Sequence, residues 1–398
     1  MAFQKNNGQE IKEDLNFHQA LEKCSNSFIK KPTVAFIDTG CSIEKIDPAY
    51  HSDIRLLKIN KCNSCIDVIG HGTMFLLTLL NYFPQQNIFL PKILSIKAGD
   101  SPLLNTGSVI ESFKIALSEN ADIISINVCN AYFNHILAEQ IYTAYKKNVI
   151  TVAPAGNLIN MIETFPSSLS SVIGTTSHDE HMQIVENVNV YPHTDIASRE
   201  DCSGLKHLLP DFDSILQGKR LPLFGTSLSL PVIVACISYM KAVNPLLNVD
   251  QIRDVFANFL SNKIKCDADG RTFYVPGLKF DEALNGTIQK RGYLFEDEKK
   301  IKKLFFELDN YNDNSFTMKV YSQTGNPVLI YDIEVVVNFY RFETFKVNKK
   351  EILFQDSIIM NGGEFTYKFD HMPKGKYMLQ IKDQKDSIVT AVHSVEVK

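Results

Sequence analysis

Apolar and polar residues alternate in two different patterns along the chain. The change from one pattern to the other divides the sequence into two regions. Between residue 31 and about residue 284, short apolar runs rich in Val and Ile alternate with stretches of helical spacing. The runs are TVAFID, NIFLPKILSI, ADIISINV, NVITVAPAG and SSVIGTT, and the helical stretches include HGTMFLLTLLNYF, GSVIESFKIALSEN and HILAEQIYTAYKKN. Strands without polar interruptions are buried on both faces. The pattern therefore predicts an α/β fold in which helices flank a parallel sheet.

Two later segments add helices to this part of the chain. GTSLSLPVIVACISYMKAV is apolar on all sides, which predicts a buried helix. NVDQIRDVFANFL has a single apolar face and predicts an amphipathic helix that begins near Asn248 or Asp250.

After Gly292 the apolar residues alternate with a period of two. The segments SFTMKVYS, VLIYDIEVVVNFYRFETFKV, GEFTYKFD and KYMLQIKD are separated by the turn sequences QTGNP, NGGE and MPKGK. This pattern predicts a small all-β sandwich domain. We therefore predict an N-terminal arm at residues 1–31, an α/β domain at 32–290 and a C-terminal β-sandwich domain at 298–398.

Composition and charge narrow the possible partners. The 398 residues are 44% hydrophobic and 22% charged, with a net charge of -4, an ordinary globular composition. This balance argues against binding to nucleic acid or to an anionic membrane. The N-terminal region shows no secretory signal, and no run of 18 or more apolar residues occurs in the sequence, so we expect a cytoplasmic protein without a transmembrane helix.

The eight cysteines are expected to be reduced thiols, because the chain is long and shows no export signal. Cys62 and Cys65 have the spacing of a zinc or redox pair. A zinc site needs about two more ligands and no second close pair is present, so no metal is expected. We expect Cys62 and Cys65 to be incidental cysteines, and a redox role for the pair is left open.

The segment VAFIDTGCS raises the question of what Asp38 does. An Asp-Thr-Gly turn occurs in pepsin-like aspartic proteases, where the carboxylate activates water, and in subtilisin-like serine proteases, where it orients a histidine. It also fits a strand that simply ends in a polar turn. The first mechanism needs two carboxylates that share a proton, but no second Asp-Thr-Gly or Asp-Ser-Gly occurs in the sequence.

Three further motifs supply the partners that the serine-protease interpretation requires. His71 in GHGTMFLLTLL begins a helix, and Ser227 in FGTSLSLP begins the buried helix. A serine at a helix N-terminus lies beside unpaired N–H groups and the positive end of the helix dipole, which stabilise negative charge on a substrate carbonyl oxygen. Asn157 in TVAPAGN follows a strand, and its side-chain amide can supply a second donor.

Together these motifs resemble the signature blocks of the subtilisin-like (S8) serine proteases. The four blocks, in family order, are Asp38-Thr39-Gly40, His71-Gly72-Thr73, Ala155-Gly156-Asn157 and Gly225-Thr226-Ser227. The resemblance covers about residues 31–285 and implies a subtilisin-like fold, a peptide or protein substrate and no cofactor. It also implies that Ser227 is the nucleophile, His71 the general base, Asp38 the residue that orients the base, and Asn157 the oxyanion donor.

The sequence departs from the family where the substrate would bind. The family's Ser-Leu-Gly strand is replaced by Asn127, Val128 and Cys129, and because Cys129 stands where the family has glycine we expect a small P1 residue. Leu103 matches a second family strand that flanks the bound peptide. A leucine at this position suggests that the substrate has apolar residues a few positions before the cleaved bond.

The sequence therefore predicts a serine endopeptidase that works through an acyl-enzyme. Removal of the leader of a modified peptide is one hypothesis for its role, and general intracellular proteolysis is another. The alternative from a different class is a non-catalytic protein that uses the protease fold and the sandwich to bind partners. The oligomeric state is left open.

Overall fold

The computed structural model describes residues 11–12, 15–24, 27–83, 89–101, 104–130, 132–157, 163–209, 225–268, 271–289, 304–311, 315–322, 325, 331–341, 352–361, 364–368, 372–383 and 389–397. The α-helices are α1 (Phe17–Cys24), α2 (His71–Asn81), α3 (Thr106–Ser118), α4 (His135–Lys146), α5 (Ser203–Leu208), α6 (Thr226–Val243), α7 (Val249–Phe259) and α8 (Phe280–Gln289). The strands up to residue 276 are β1 (Thr33–Asp38), β2 (Ile54–Lys58), β3 (Lys92–Lys97), β4 (Ile123–Ile126), β5 (Ile150–Pro154), β6 (Val172–His178), β7 (Ile196–Arg199), β8 (Lys263–Ala268) and β9 (Arg271–Pro276).

Strands β1 to β7 form one sheet of seven strands in the order β2-β3-β1-β4-β5-β6-β7, and every neighbouring pair is parallel. The predicted parallel sheet with flanking helices is confirmed. Strands β8 and β9 form a separate antiparallel hairpin. All seven strands of the main sheet point the same way, so their carboxyl ends lie along one edge.

Both faces of the sheet are buried, and β1 shows how one short strand serves both. Val34 and Phe36 join the apolar cluster that contains the core residues of α2, α6, α7 and α8. Ala35 and Ile37 join the cluster with α3 and α4 on the other face. Successive side chains of a strand point to opposite faces, so a strand covered on both sides is apolar at nearly every position.

Helix α6 is the central helix of the first cluster. Within the described residues it is the one helix long and apolar enough to cross a membrane, yet 94% of its apolar window is buried inside the protein. Pro231 is the sixth residue of the helix, so its missing N–H leaves the Ser227 carbonyl without its usual intrahelical donor. The helix is accordingly a core element, as its uniform apolar pattern predicts.

Part of the N-terminal segment belongs to the same core. Ile11, Leu15 and Phe17 are at most 2% exposed. The Phe17 ring lies 5.3 Å from that of Tyr82 and 5.1 Å from that of Phe280 in edge contacts. Helix α1 of the predicted arm therefore packs on α8 and on Tyr82, which follows α2.

The C-terminal strands are β10 (Leu304–Tyr311), β11 (Ser315–Ser322), β12 (Tyr331–Arg341), β13 (Ile352–Asn361), β14 (Glu364–Lys368), β15 (Gly375–Asp383) and β16 (Val389–Val397). They form two antiparallel sheets, β10-β11-β14 and β13-β12-β15-β16. Phe306, Phe316, Phe339 and Leu379 pack between them in a separate apolar cluster. The predicted all-β region is confirmed, and the predicted boundary at 290–298 lies outside the described residues.

We expect Phe17→Ala to lower the free energy of unfolding of the α/β region by about 3–5 kcal/mol, because it removes a fully buried aromatic ring. Urea denaturation followed by circular dichroism measures this. Gln19→Ala changes an exposed residue of the same helix and should alter stability by less than about 0.5 kcal/mol. Equal stability of Phe17→Ala and the unchanged protein would contradict the assignment of α1 to the cooperative core.

Candidate functional site

Three of the predicted site residues lie where strands of the parallel sheet end. Asp38 is the last residue of β1, Asn127 follows β4, and Asn157 follows β5 by three residues. These three strands are consecutive in the sheet. In open α/β sheets, ligands bind in the crevice outside the carboxyl ends of the strands. The sheet topology therefore brings the three residues to one edge.

Asp38 and His71 are in direct contact. His71 Nδ1 lies 2.8 Å from Asp38 Oδ1 and 3.0 Å from Oδ2. The Asp38 carboxylate is 1% exposed and also accepts hydrogen bonds from the Thr39 N–H at 2.7 Å and from Asn127 Nδ2 at 2.8 Å. A buried carboxylate is tolerated when such donors replace its water.

The contact with Asp38 determines how the imidazole ring is used. A carboxylate accepts hydrogen bonds, so Nδ1 of His71 carries the proton and Nε2 of the neutral ring is left as the basic nitrogen. Burial lowers the pKa of His71, but the charge of Asp38, its hydrogen bond and the charge of Asp67 together raise that pKa above its ordinary value. The ring is thus a base whose protonated form is stabilised.

Asp67 is a functional residue that the sequence analysis missed. Helix α2 begins after Gly70, which has no capping side chain. Asp67 supplies the cap instead, because its Oδ2 accepts the Thr73 N–H at 2.8 Å and its Oδ1 accepts the Gly70 N–H at 2.8 Å. A helix that carries a candidate base but has glycine at its N-cap needs an acceptor from elsewhere. That need is the signal that could have directed attention to Asp67.

Thr39 joins the two carboxylates. Its hydroxyl lies 2.8 Å from Asp67 Oδ1 and accepts the Gly72 N–H at 3.1 Å. Asp67 is itself buried, with 7% of its surface exposed. The turn after β1 and the first turn of α2 are therefore fixed to one another by Asp38 and Asp67 together.

Ser227 lies in the first turn of α6 and is half-buried. The next residue, Leu228, belongs to a small apolar cluster with Met74 and Leu205. Met74 is in the first turn of α2, so this cluster brings the beginnings of the His71 and Ser227 helices side by side. The N–H of Ser227 is among those at a helix start that have no intrahelical acceptor.

Asn157 is oriented by the residue that precedes Ser227. Its Oδ1 accepts both the N–H and the hydroxyl of Thr226, each at 3.0 Å. Since the carbonyl end of the amide is held in this way, its Nδ2 is the end left to donate elsewhere. Gly225 makes the approach possible, because its φ is 142° and an added Cβ would lie 2.6 Å from Asn157 Cγ.

The three residues of the predicted substrate strand, Asn127, Val128 and Cys129, make different contacts. Asn127 is 5% exposed, and its amide donates to Asp38 at 2.8 Å. The Val128 side chain packs on the α3/α4 cluster. Cys129 Sγ occupies the space beside Gly156, where an added Cβ would collide with it. Leu103 lies outside the described residues.

Cys41 and Cys129, which adjoin predicted site residues, are free thiols with raised pKa values. All eight cysteines are free thiols. Burial, followed by the charge of Asp67, raises the pKa of Cys41 to about 12. Burial raises the pKa of Cys129 to about 11, against smaller opposing hydrogen bonds from the Asn157 and Cys129 backbones. In the part of the chain that the structure describes, no three His, Cys, Asp or Glu side chains group as metal ligands.

We expect Asp38→Asn to lower the pKa of His71, because the burial of the ring is then opposed by one charge fewer. Asp67→Asn should lower it by less, since Asp67 acts on the ring through its charge alone. Proton NMR titration of the His71 ring measures both shifts, with Glu44→Gln, a change at an exposed carboxylate, as the control. In the unchanged protein, protonated His71 adds stability below its unfolded pKa, and this is lost as pH rises through its folded pKa. An unchanged pKa in Asp38→Asn would refute this account.

The fold is shared with three solved protease structures. The nisin leader peptidase NisP from Lactococcus lactis matches with a TM-score of 0.51 at 16% identity, over 69% of this chain and 92% of its own. The prenylagaramide maturation protease PagA matches with a TM-score of 0.50 at 15% identity, over 68% of this chain and 98% of its own. A lanthipeptide protease matches with a TM-score of 0.52 at 15% identity, over 69% of this chain and 95% of its own.

No family model and no curated protein sequence matches the chain. At identities of 15–16% the likeness establishes the fold alone. The chain therefore has the subtilisin-like α/β fold of these proteases.

Proposed function

We propose that the protein is a serine endopeptidase that cleaves peptide bonds through an acyl-enzyme. The observation that carries this proposal is the contact of His71 Nδ1 with both oxygens of the buried Asp38. This contact leaves Nε2 as the base, and the apolar cluster of Met74, Leu205 and Leu228 supports a position of the Ser227 helix beside the start of α2. The protease neighbours with this fold give independent support.

In the proposed mechanism, Ser227 Oγ attacks the carbonyl carbon of the scissile bond while its proton passes to His71 Nε2. The carbonyl oxygen becomes an oxyanion that accepts hydrogen bonds from Asn157 Nδ2 and the Ser227 N–H. His71 then gives its proton to the leaving nitrogen as the C–N bond breaks. Water repeats the sequence on the acyl-enzyme, releases the new carboxyl group and returns the proton to Ser227 Oγ.

The other residues hold this arrangement in place. Asn127 and Thr39 donate to Asp38, which keeps the carboxylate directed at the ring. Asp67 caps the helix that carries His71, and Thr226 turns the Asn157 amide. Preorganised dipoles of this kind supply much of an enzyme's rate enhancement, because they need not reorganise during the reaction.

The P1 pocket is proposed to be small and apolar. Gly156 is flanked by Cys129 Sγ, and its added Cβ would also lie 3.6 Å from Thr164 Cγ2. Both side chains fill space that a large P1 residue would need. With its raised pKa, the Cys129 thiol is uncharged at neutral pH. Alanine-sized P1 residues fit this description.

An apolar surface lies beside His71 on the loop that leads into α2. Ile66, Val68 and Ile69 are 55%, 66% and 42% exposed. Exposed apolar patches commonly mark interaction sites, and this one ends two residues from the proposed base. We propose that this surface binds an apolar side chain of the substrate peptide. We propose the leader of a modified peptide as the substrate that supplies this side chain, because two of the fold neighbours are a nisin leader peptidase and a prenylagaramide maturation protease.

A fluorophosphonate probe tests the proposed nucleophile. We expect an adduct on Ser227, because a serine activated by a neighbouring base reacts with such probes. Ser227→Ala should lose the adduct and lower kcat/KM for a cleaved peptide by at least about 10⁴-fold. Ser229→Ala, two residues further along α6, should keep the adduct. A folded, unlabelled Ser227 in the unchanged protein would favour the non-catalytic binding function instead.

Cys129→Gly should widen the P1 pocket. We expect kcat/KM for peptides with Leu or Phe at P1 to rise about 10-fold or more, since each methylene in an apolar pocket changes discrimination by about 1–3 kcal/mol. Cys129→Ser keeps the size of the side chain and should keep the preference for small residues. Cleavage of a peptide library measures the profiles. A preference of the unchanged protein for large aromatic P1 residues would refute the pocket assignment.

A further inference from the structure

The β10-β11-β14 sheet of the sandwich presents an apolar outer face to the α/β region. Successive residues of β10 point in opposite directions, so Phe306 enters the sandwich core while Phe305 joins the α3/α4 cluster. On β11, Val320 and Tyr321 divide in the same way. Phe305 and Tyr321 are 2% and 7% exposed. The outer face of this sheet is thus a second buried surface.

Phe133 receives this face. Its ring is stacked on Phe305 with 4.7 Å between centroids, and Tyr321 lies 5.7 Å away. On its other side it makes an edge contact with Phe165 at 5.3 Å. One aromatic ring therefore connects the sandwich to the segment around Phe165.

The residues beneath Phe133 join the two sides of the proposed P1 pocket. Asn130 and Phe165 exchange two backbone hydrogen bonds, each 2.8 Å long. Cys129 comes immediately before Asn130, and Thr164 immediately before Phe165. The separation of the pocket's two side chains therefore depends on this pair, and Phe133 packs over it.

The same surface also fixes the beginning of α4. The His135 ring is stacked on Tyr321 with 4.7 Å between centroids and an interplanar angle of 4°. Glu307 Oε2 lies 2.8 Å from His135 Nδ1 and accepts the His135 N–H at 3.2 Å. A carboxylate at a helix N-terminus is stabilised by the unpaired N–H groups and the helix dipole. The sandwich therefore holds residues 133–135 by stacking and by charge.

We propose that the sandwich helps to shape the substrate-binding site. Phe305, Glu307 and Tyr321 are positioning residues for the P1 pocket. They act through Phe133 and His135 on the Asn130–Phe165 pair, and so on the space between Cys129 and Thr164. This inference rests on the proposed endopeptidase function.

The test compares Phe305→Ala and Glu307→Gln with Asp309→Asn. Asp309 lies on the same strand and pairs with Lys319 at 2.7 Å on the exposed surface, so it is the matched control. For a peptide with Ala at P1, we expect KM to rise about 10-fold in Phe305→Ala and about threefold in Glu307→Gln, with kcat changed by less than about twofold. The preference for Ala over Phe at P1 should weaken in both. Asp309→Asn should match the unchanged protein.

Labelling of Ser227 by a small fluorophosphonate separates positioning from general damage, because this probe does not need the P1 pocket. The labelling rate should stay within about twofold in all three variants. Unchanged KM and P1 preference in both Phe305→Ala and Glu307→Gln would overturn the inference. A labelling rate that falls in parallel with peptide cleavage would also overturn it.

Hydrogen exchange tests the mechanical connection without any catalysis. The Asn130 and Phe165 amides should exchange at least about fivefold faster in Phe305→Ala and at the unchanged rate in Asp309→Asn, because the backbone pair loses its cover. Unchanged exchange in Phe305→Ala would refute the connection. An unlabelled Ser227 in the unchanged protein would instead refute the proposed endopeptidase function. Failure of that function is therefore distinguishable from failure of the positioning role of the sandwich.

Discussion

The buried carboxylate of Asp38 is the constraint on which the site depends. At 1% exposure it has lost its water, and an unpaired charge in that position would cost several kcal/mol. Its donors come from three elements that are distant in sequence: the turn after β1, the start of α2 and the residue after β4. The carboxylate receives all of these hydrogen bonds only when the three elements meet at Asp38. The parallel order of the sheet brings the same elements together at the carboxyl ends of its strands.

A second hydrogen-bond network, around Asp67 and Lys97, holds the loop that precedes His71. Asp67 accepts the N–H groups at the start of α2, and the Ser42 hydroxyl donates to the Asp67 carbonyl at 3.2 Å. Lys97 is 1% exposed; its ammonium donates to the Ile66 carbonyl and pairs with Asp100. The loop before His71 is thereby attached to β1 and to β3. A base held on such a loop keeps its direction because its supports are hydrogen-bonded too.

The sequence predicts well what a short local pattern encodes. Strand β1 reads TVAFID because both of its faces are buried, and His71 and Ser227 each lie in the first turn of a strongly apolar helix. Strand β2 was missed, since at the sheet edge its residues are only partly buried and its apolar pattern is weak. Asp67 was missed for a different reason: its partners Thr39 and Thr73 are not revealed by any local periodicity. The glycine at the N-cap signals that α2 needs an acceptor from elsewhere, but it does not identify Asp67, four residues before the helix, as the residue that supplies it.

The segment from residue 127 to residue 135 connects the two regions of the chain. Asn127 donates to the proposed catalytic carboxylate, Cys129 fills the pocket beside Gly156, and Phe133 stacks on the sandwich. These residues lie in one short stretch of backbone, and Asn130 ties its middle to Phe165. Densely packed elements transmit displacement, because they have little free volume in which to absorb it. A change in the sandwich that moves Phe133 therefore reaches Cys129 before it reaches His71. In the proposed enzyme, substrate selectivity should accordingly depend on the sandwich more than the rate of bond cleavage does.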